Sequence, residues 1–243
     1  VRRLVSGDVV LHEVTVPEGL TLIRTVALLE AAGLEIQGSL EQETRRVGRI
    51  AAFDPQATDL EGYLFPDTYT FSRRVTARAV VDRLVARFRE VADSLQAELG
   101  PPDRTVRAWV TLASLVERET GRDDERERVA SVFLNRLDRN MLLQCDPTVL
   151  YALERAGEPH GESLADRLAF DDPYNTYLHA GLPPGPIASP GEAALRASLH
   201  PARHDELYFV ADGDGGHRFS RTLREHNRAV RDLRRRTMAG PGR

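Results

Sequence analysis

Two glutamates, Glu117 and Glu119, stand near the end of a segment, Thr105–Thr120, in which apolar residues recur at helical spacing. At about 100° per residue, Glu119 falls between Leu112 and Leu115, and Glu117 falls on the same apolar arc. Both carboxyl groups therefore project away from the polar stripe of the predicted helix. Because burial disfavours the charged form of a carboxyl group, its pKa rises, and a raised pKa suits a general acid near neutral pH.

The same positions also allow a structural role. A glutamate in the last turn of a helix often turns to solvent or pairs with an arginine, and Arg118, Arg122 and Arg126 are close in sequence. The helical wheel alone therefore leaves both alternatives open for each carboxylate.

Other patterns that carry chemistry are weaker. His200 and His204 have a spacing found in zinc sites, but Pro201 disfavours a regular helix through the pair. The run Asp212-Gly-Asp-Gly-Gly216 matches only half of a calcium loop, because the bidentate glutamate is missing downstream, and a β-turn is the simpler interpretation. Neither a nucleophile elbow nor a phosphate-binding loop is present. The sequence therefore predicts no metal and no cofactor, with a zinc hydrolase as the weakest alternative.

Composition narrows the class of protein. The chain has 243 residues and a formal net charge of -4, and 41% of its residues are hydrophobic. This length suits one large domain or two small ones, and the charge argues against a dedicated nucleic-acid binder. The single cysteine, Cys145, excludes an intrachain disulfide and has no recognisable partner base in the sequence. No apolar run approaches the roughly 18 residues that span a bilayer.

The elements that must hold these residues fall into three zones. Residues 1–50 contain a β-prone run at Leu11–Val16 and a helix from Thr21 to Gly33, which together form a small βα module. Residues 51–104 contain an aromatic-rich segment and a helix over Ala77–Leu99.

The third zone, residues 105–243, holds most of the polar motifs. It begins with helices over Thr105–Thr120 and Asp124–Arg139, followed by a loop-rich middle. A helix near Gly191–Ser198, a hairpin with its turn at 212–217 and a basic helix complete it. The pattern as a whole predicts an α+β protein that is mainly helical.

Seven motifs of this third zone stand in the order found in one known family. They are Ala113-Ser-Leu-Val-Glu-Arg-Glu-Thr120, Val129-Ala-Ser-Val-Phe-Leu-Asn-Arg136, Leu143-Gln-Cys-Asp-Pro-Thr-Val-Leu-Tyr151, Tyr174-Asn-Thr-Tyr177, Gly181-Leu-Pro-Pro-Gly-Pro-Ile187, His200-Pro-Ala202 and Gly215-Gly-His-Arg-Phe219. Together they resemble the YceG/MltG-like endolytic murein transglycosylases. The upstream segment Glu61-Gly-Tyr-Leu-Phe-Pro-Asp-Thr-Tyr69 also matches that family, and Val16-Pro-Glu-Gly19 with the following helix resembles its LysM-like accessory region.

The resemblance implies a fold, an activity and a place in the cell. The expected fold is a lysozyme-like catalytic domain at residues 105–243, preceded by a connecting region at 51–104 and a partial LysM-like region at 1–50. The expected activity is cleavage of the β-1,4 bond between N-acetylmuramic acid and N-acetylglucosamine within glycan strands, leaving a 1,6-anhydro end. The family implies a bacterial envelope enzyme that faces the peptidoglycan, has an N-terminal membrane anchor absent from this chain, and meets penicillin-binding glycan polymerases.

The resemblance also implies site residues. Related enzymes carry the catalytic acid in a Glu-Ser pair at a helix end, and Glu119 with Thr120 is the nearer match, so Glu119 is the expected acid and Glu117 the runner-up. The residues expected to line the substrate groove are Gln144, Asp146, Tyr174, Asn175, Tyr177 and His217. The family pattern has Thr where this chain has Cys145, which is a weaker hydrogen-bond donor.

A second class of function remains open from the sequence. A non-catalytic peptidoglycan-binding scaffold would keep the accessory zone and the groove but would tolerate the loss of Glu119. The Glu-Thr pair and its apolar setting favour the enzyme.

Overall fold

The computed structural model describes residues 11–159 and 163–239. Residues 1–10, where the predicted accessory region begins, and 240–243, where the predicted catalytic domain ends, lie outside the described residues. The chain divides into two compact units: the described residues up to Gly100 together with Ala188–Gly191, and Pro101–Ile187 together with the described residues from Glu192 onward. Among the described residues, helices predominate and the strands form three two-stranded sheets, so the protein is a mixed α/β fold.

The first unit joins the two predicted N-terminal zones through strand pairing. Its elements are β1 (Leu11–Thr15), α1 (Leu22–Ala31), β2 (Glu35–Gln37), α2 (Leu40–Thr44), β3 (Thr68–Ser72), β4 (Arg74–Thr76) and α3 (Ala77–Leu99). β1 pairs with β3 in antiparallel fashion, and β2 pairs with β4 in parallel. Because both pairs connect residues before position 50 to residues after it, the unit has no internal boundary there.

The segment containing Glu61 and Tyr63 stabilises the first unit. Both carboxylate oxygens of Glu61 accept the backbone N–H of Leu22 at 3.0 Å, which satisfies a free donor at the start of α1. The fully buried Tyr63 donates its hydroxyl to Asp54 at 2.6 Å and packs edge-on against Phe88 of α3. This family-like motif therefore has a structural explanation in its own unit.

The second unit contains all the residues predicted to do chemistry. Its helices are α4 (Val106–Glu119), α5 (Asp123–Asp138), α6 (Asp146–Ala156), α7 (Leu164–Leu168), α8 (Glu192–Leu199) and α9 (Leu223–Ala239). Its strands β5 (Tyr208–Ala211) and β6 (His217–Ser220) form the predicted antiparallel hairpin. The predicted helices and strands agree with these bounds to within one or two residues, but α6 and α7 lie in the segment that the sequence analysis treated as loop.

The core of the second unit forms around α4. Its buried members come from α4, α5, α6, α8 and the loops between them: Leu112, Leu115, Val116, Val129, Ala130, Phe133, Leu143, Cys145, Tyr151, Ile187 and Ala194. Trp109 of α4 is also buried and donates its indole N–H to the carbonyl of Leu195 in α8 at 2.9 Å. Because these contacts hold α4 on several sides, the position of its C-terminal end within the second unit is fixed.

No helix within the described residues combines the length and the apolar character that a membrane crossing requires.

Candidate active site

Glu119 is the last residue of α4, and its position follows from how that helix begins and ends. The side chain of Thr105 accepts the N–H of Ala108 and caps the start of the helix. At the other end, Thr120 adopts an extended conformation and donates its N–H to Val116 at 3.2 Å. The helix therefore stops directly after Glu119, whose side chain emerges beside the core of the second unit.

The surroundings of Glu119 raise the pKa of its carboxyl group. Burial is the main cause, and the nearby negative charge of Asp146 acts in the same direction. A hydrogen bond with the thiol of Cys145 and the positive charges of His217 and Arg136 oppose this shift without cancelling it. Glu119 is nevertheless not fully enclosed, since part of its surface remains exposed. A raised pKa and a partly exposed carboxyl group are two properties that suit a general acid.

Cys145 is the buried partner of that carboxyl group. Its N–H donates to Oγ1 of Thr176 at 3.0 Å, and its carbonyl accepts the hydroxyl of Thr148 at 2.7 Å, so its backbone is firmly held. The thiol makes no capping bond to α6 and instead hydrogen-bonds with Glu119. Burial raises the pKa of the thiol, which keeps it protonated as a donor. The sequence offered no partner for Cys145, because the contact joins the residue before α6 to the end of α4.

Glu117, the runner-up acid, has a different environment. Its carboxylate lies 3.5 Å from the guanidinium of Arg126 on α5, and both side chains are only 6% exposed. Arg126 also contacts Asp123. The sequence left catalysis and ion pairing open for both glutamates, and the structure gives Glu117 the ion pair.

Asp146 and Tyr177 form a polar pair close to Glu119. Asp146 begins α6 with its carboxylate exposed, and it accepts the hydroxyl of Tyr177. Burial and this hydrogen bond raise the pKa of Tyr177, so its hydroxyl remains protonated. Gln144 adopts a left-handed backbone conformation with φ of 51°, donates its N–H to the carbonyl of Thr176 at 3.1 Å and leaves its side chain exposed.

Tyr174 and Asn175 lie in the loop before Tyr177, and both side chains pack against neighbouring residues. Asn175 is 0% exposed, and its side-chain amide donates to the carbonyls of Leu168 and Phe170 at 3.0 and 2.8 Å. The same side chain accepts the N–H of Tyr177 at 2.9 Å. Because the amide is buried and its hydrogen bonds are made to the loop, this geometry does not present Asn175 to a substrate. Tyr174 is partly buried and packs against Tyr151 with ring centroids 4.9 Å apart.

His217 begins β6 and is held by Glu125, a residue that the sequence analysis missed. Nδ1 of His217 lies 2.8 Å from Oε2 of Glu125, and the backbone N–H of His217 donates to Oε1 of Glu125 at 2.9 Å. Burial alone would raise the pKa of Glu125, but these bonds and the charge of His217 hold it below its usual value. Glu125 stands in a charged run, 123–128, that reads as a solvated helix face, so only the three-dimensional structure identifies it.

The site thus combines one largely buried acid, a polar pair, an exposed amide and a fixed imidazole. Among the described residues, no group of three or more His, Cys, Asp or Glu side chains is placed to hold a metal ion. This set of groups is suited to donating a proton to a polar, uncharged ligand rich in hydroxyl and amide groups.

Comparison with known proteins agrees with the motif order. A YceG-like family model matches residues 1–232. An endolytic murein transglycosylase of Bacillus subtilis is 42% identical over 171 residues, which cover 70% of this chain and 47% of that protein. One from Streptococcus pneumoniae is 37% identical over 176 residues, covering 70% of this chain and 32% of that protein. The chain therefore spans less than half the length of each of these two relatives.

A solved structure extends the comparison to the fold. The crystal structure of a YceG-like protein from Listeria monocytogenes superimposes with a TM-score of 0.78 at 34% sequence identity, covering 93% of this chain and 79% of that one. The family match along nearly the whole sequence and this shared fold lead to one conclusion: the chain belongs to the YceG-like family.

Proposed function

We propose that this chain is the catalytic part of an endolytic peptidoglycan lytic transglycosylase, with Glu119 as its acid. The observation that carries the proposal is the Glu119 carboxyl at the end of α4, buried enough to raise its pKa and still partly exposed. The names of the relatives from Bacillus subtilis and Streptococcus pneumoniae support the same reaction. The bond cleaved is the β-1,4 linkage between N-acetylmuramic acid and N-acetylglucosamine inside a glycan strand.

The proposed reaction needs one carboxyl group and no water. Glu119 donates its proton to the glycosidic oxygen as the bond to the anomeric carbon of the muramoyl residue breaks, and the N-acetylglucosamine leaves as an alcohol. The oxygen of the substrate's own 2-acetamido group stabilises the anomeric cation. The C6 hydroxyl then bonds to the anomeric carbon and gives its proton to the Glu119 carboxylate. This closes the 1,6-anhydro ring and restores the acid.

Other groups of the site have supporting roles in this proposal. The thiol of Cys145 stabilises the Glu119 carboxylate that forms after the first proton transfer. Gln144, Asp146, Tyr177 and His217 provide hydrogen-bonding groups for sugar hydroxyls and acetamido groups. Asn175 holds the loop that carries Tyr177, and Tyr174 lines the groove beside them.

The proposal extends to the fold of the two units and to the place of the protein in the cell. The second unit contains the lysozyme-like catalytic domain, and the first unit carries the partial LysM-like region. The whole protein acts in the bacterial cell envelope, with an N-terminal membrane anchor and the catalytic domain on the outer side. Penicillin-binding proteins of wall synthesis are its proposed partners, and nascent glycan strands are its proposed substrate.

Mass analysis of the products separates this function from the alternatives. Purified sacculi are incubated with the protein, with and without a chelator, and the released fragments are examined for their end groups. We expect 1,6-anhydro ends in both samples. Reducing ends would indicate a hydrolase, loss of activity with the chelator would indicate a zinc enzyme, and a lack of products would indicate a binding scaffold.

A further inference from the structure

The carboxylate of Glu125, in the first turn of α5, contacts groups from two other parts of the second unit. Glu125 lies in α5 with its side chain only 11% exposed. Its carboxylate accepts the backbone N–H of His217 at 2.9 Å, contacts the ring Nδ1 at 2.8 Å, and accepts the hydroxyl of Thr120 at 3.4 Å. Thr120 directly follows Glu119 in the chain. One buried carboxylate therefore links the end of the acid's own helix to the imidazole on β6.

Gly216 leaves room for the Glu125 carboxylate beside the β5–β6 hairpin. A Cβ placed on Gly216 would lie 2.7 Å from Oε1 of Glu125, which is closer than real Cβ contacts occur. The turn before Gly216 is fixed separately, because Asp212 accepts the N–H groups of Asp214 and Gly216 at 2.7 and 3.0 Å. The backbone of the hairpin therefore lies directly against this carboxylate.

The charge of Glu125 decides which nitrogen of the neutral His217 ring carries the proton. Hydrogen bonds from His217 and the positive charge of Arg122 outweigh burial and lower the pKa of Glu125, so it is an ionised acceptor at neutral pH. A carboxylate that only accepts requires a proton on Nδ1 of His217. In the neutral ring Nε2 then carries no proton and is itself an acceptor. Within the described part of the chain, no group hydrogen-bonds Nε2.

We propose that Glu125 is a positioning residue that holds His217 as the Nδ1–H tautomer, so that Nε2 accepts a hydrogen bond from a hydroxyl or acetamido N–H of the glycan beside Glu119. The inference rests on the proposed function and deepens it, since it assigns an acceptor to a defined atom of the site. The two groups lie near one another because Thr120, the residue after Glu119, and the His217 ring both contact Oε2 of Glu125, at 3.4 and 2.8 Å. The rings of Phe209 and Phe219, with centroids 5.2 and 6.3 Å from the imidazole, limit its rotation.

The first test reads the tautomer directly. Nitrogen-15 NMR of the protein near neutral pH distinguishes a protonated ring nitrogen from an unprotonated one. We expect a proton on Nδ1 of His217 in the wild type. Glu125→Gln places an amide donor against the ring and should reverse or abolish that preference. An unchanged tautomer in the variant would overturn the inference.

The second test asks whether Glu125 acts through His217. We expect Glu125→Gln and His217→Ala each to reduce kcat/KM on purified glycan strands about tenfold, mainly by raising KM. The double variant should be no worse than His217→Ala alone, because both changes remove the same contact. Independent losses that multiply in the double variant would mean that Glu125 has only a structural role.

The chain offers a matched control in the same unit. Glu206 lies 3.2 Å from Nδ1 of His204, and these side chains are 12% and 17% exposed, against 11% and 15% for Glu125 and His217. Glu206→Gln should leave kcat/KM within about twofold of the wild type.

Failure of the proposed function can be told apart from failure of the inference. If the wild type cleaves no glycan, undigested strands are titrated into the wild type and Glu125→Gln while the His217 ring signals are followed. Binding that moves the Nε2 signal only in the wild type supports the inference. Equal response in both proteins, or none, contradicts it.

Discussion

Two glutamates two residues apart on α4 should affect stability in opposite directions when each is changed to glutamine. Glu117 neutralises Arg126 in a pair whose side chains are both 6% exposed. Its replacement leaves the guanidinium charge buried, and the carboxylate of Asp123, which is 87% exposed, compensates poorly for the lost charge. Breaking a buried ion pair from one side costs about 3 kcal/mol, so Glu117→Gln should lower the free energy of unfolding by roughly that amount.

Glu119→Gln should have the reverse effect above neutral pH. Burial raises the pKa of Glu119, so the folded state binds this proton more tightly than the unfolded state does. The stability that the protonated carboxyl contributes is fully present below its unfolded pKa and is lost as pH rises through its folded pKa. Glutamine does not titrate. We therefore expect Glu119→Gln to be at least as stable as the wild type at pH about 8, with a weaker dependence of stability on pH.

Tryptophan fluorescence provides the assay. Trp109 is the sole tryptophan of the chain, is 2% exposed and lies in α4, so its signal reports unfolding of the second unit. In urea, a loss of about 3 kcal/mol should move the midpoint of Glu117→Gln down by roughly 1–3 M. Should Glu119→Gln prove the less stable variant at high pH, with Glu117→Gln close to wild type, the roles assigned to these carboxylates would be refuted.

Three further predictions concern groups around the acid. A hydroxyl donates more strongly than a thiol, so Cys145→Ser should stabilise the Glu119 carboxylate and lower the pH at which kcat/KM falls on the basic side by about 0.5 unit. Cys145→Ala removes the donor and should raise that pH. If kcat/KM falls at the same pH in the wild type and both variants, the thiol does not act on Glu119. Tyr177→Phe removes the hydroxyl that donates to Asp146, and kcat/KM measured on glycan strands should fall about tenfold. An unchanged kcat/KM would exclude a role of the Asp146–Tyr177 pair in the reaction. Asn175→Ala loses two hydrogen bonds to loop carbonyls and should lower the free energy of unfolding in urea by about 2 kcal/mol; a neutral effect would show that the loop does not need them.

Elements with strong local signals were predictable from the sequence. The apolar spacing and the capping threonines of α3 and α4 are local features, and the observed helices begin and end within a residue of the predicted bounds. The hairpin of β5 and β6 was equally predictable from its Asp-Gly-rich turn. By contrast, the sequence analysis included residues 146–156 in a loop-rich segment and overlooked Pro147. Proline at the first turn is typical of a helix start, and that signal could have identified α6.

The roles of individual site residues depended on contacts between elements. The helical wheel placed Glu117 and Glu119 on the same apolar arc, and only Arg126 on the next helix distinguishes their environments. The bond between Cys145 and Glu119 joins the residue before α6 to the end of α4, and the bond between Glu125 and His217 joins α5 to β6. Neither pair has a characteristic sequence spacing, because each is created by packing in the second unit.

The most direct test of the central claim is the product analysis of sacculi digested by Glu119→Gln and by Glu117→Gln, at a temperature where both variants are folded by Trp109 fluorescence. If Glu119 is the acid, Glu119→Gln releases no fragments with 1,6-anhydro ends, while folded Glu117→Gln releases them at a rate within about tenfold of the wild type. Release of anhydro fragments by Glu119→Gln at the wild-type rate would contradict the account.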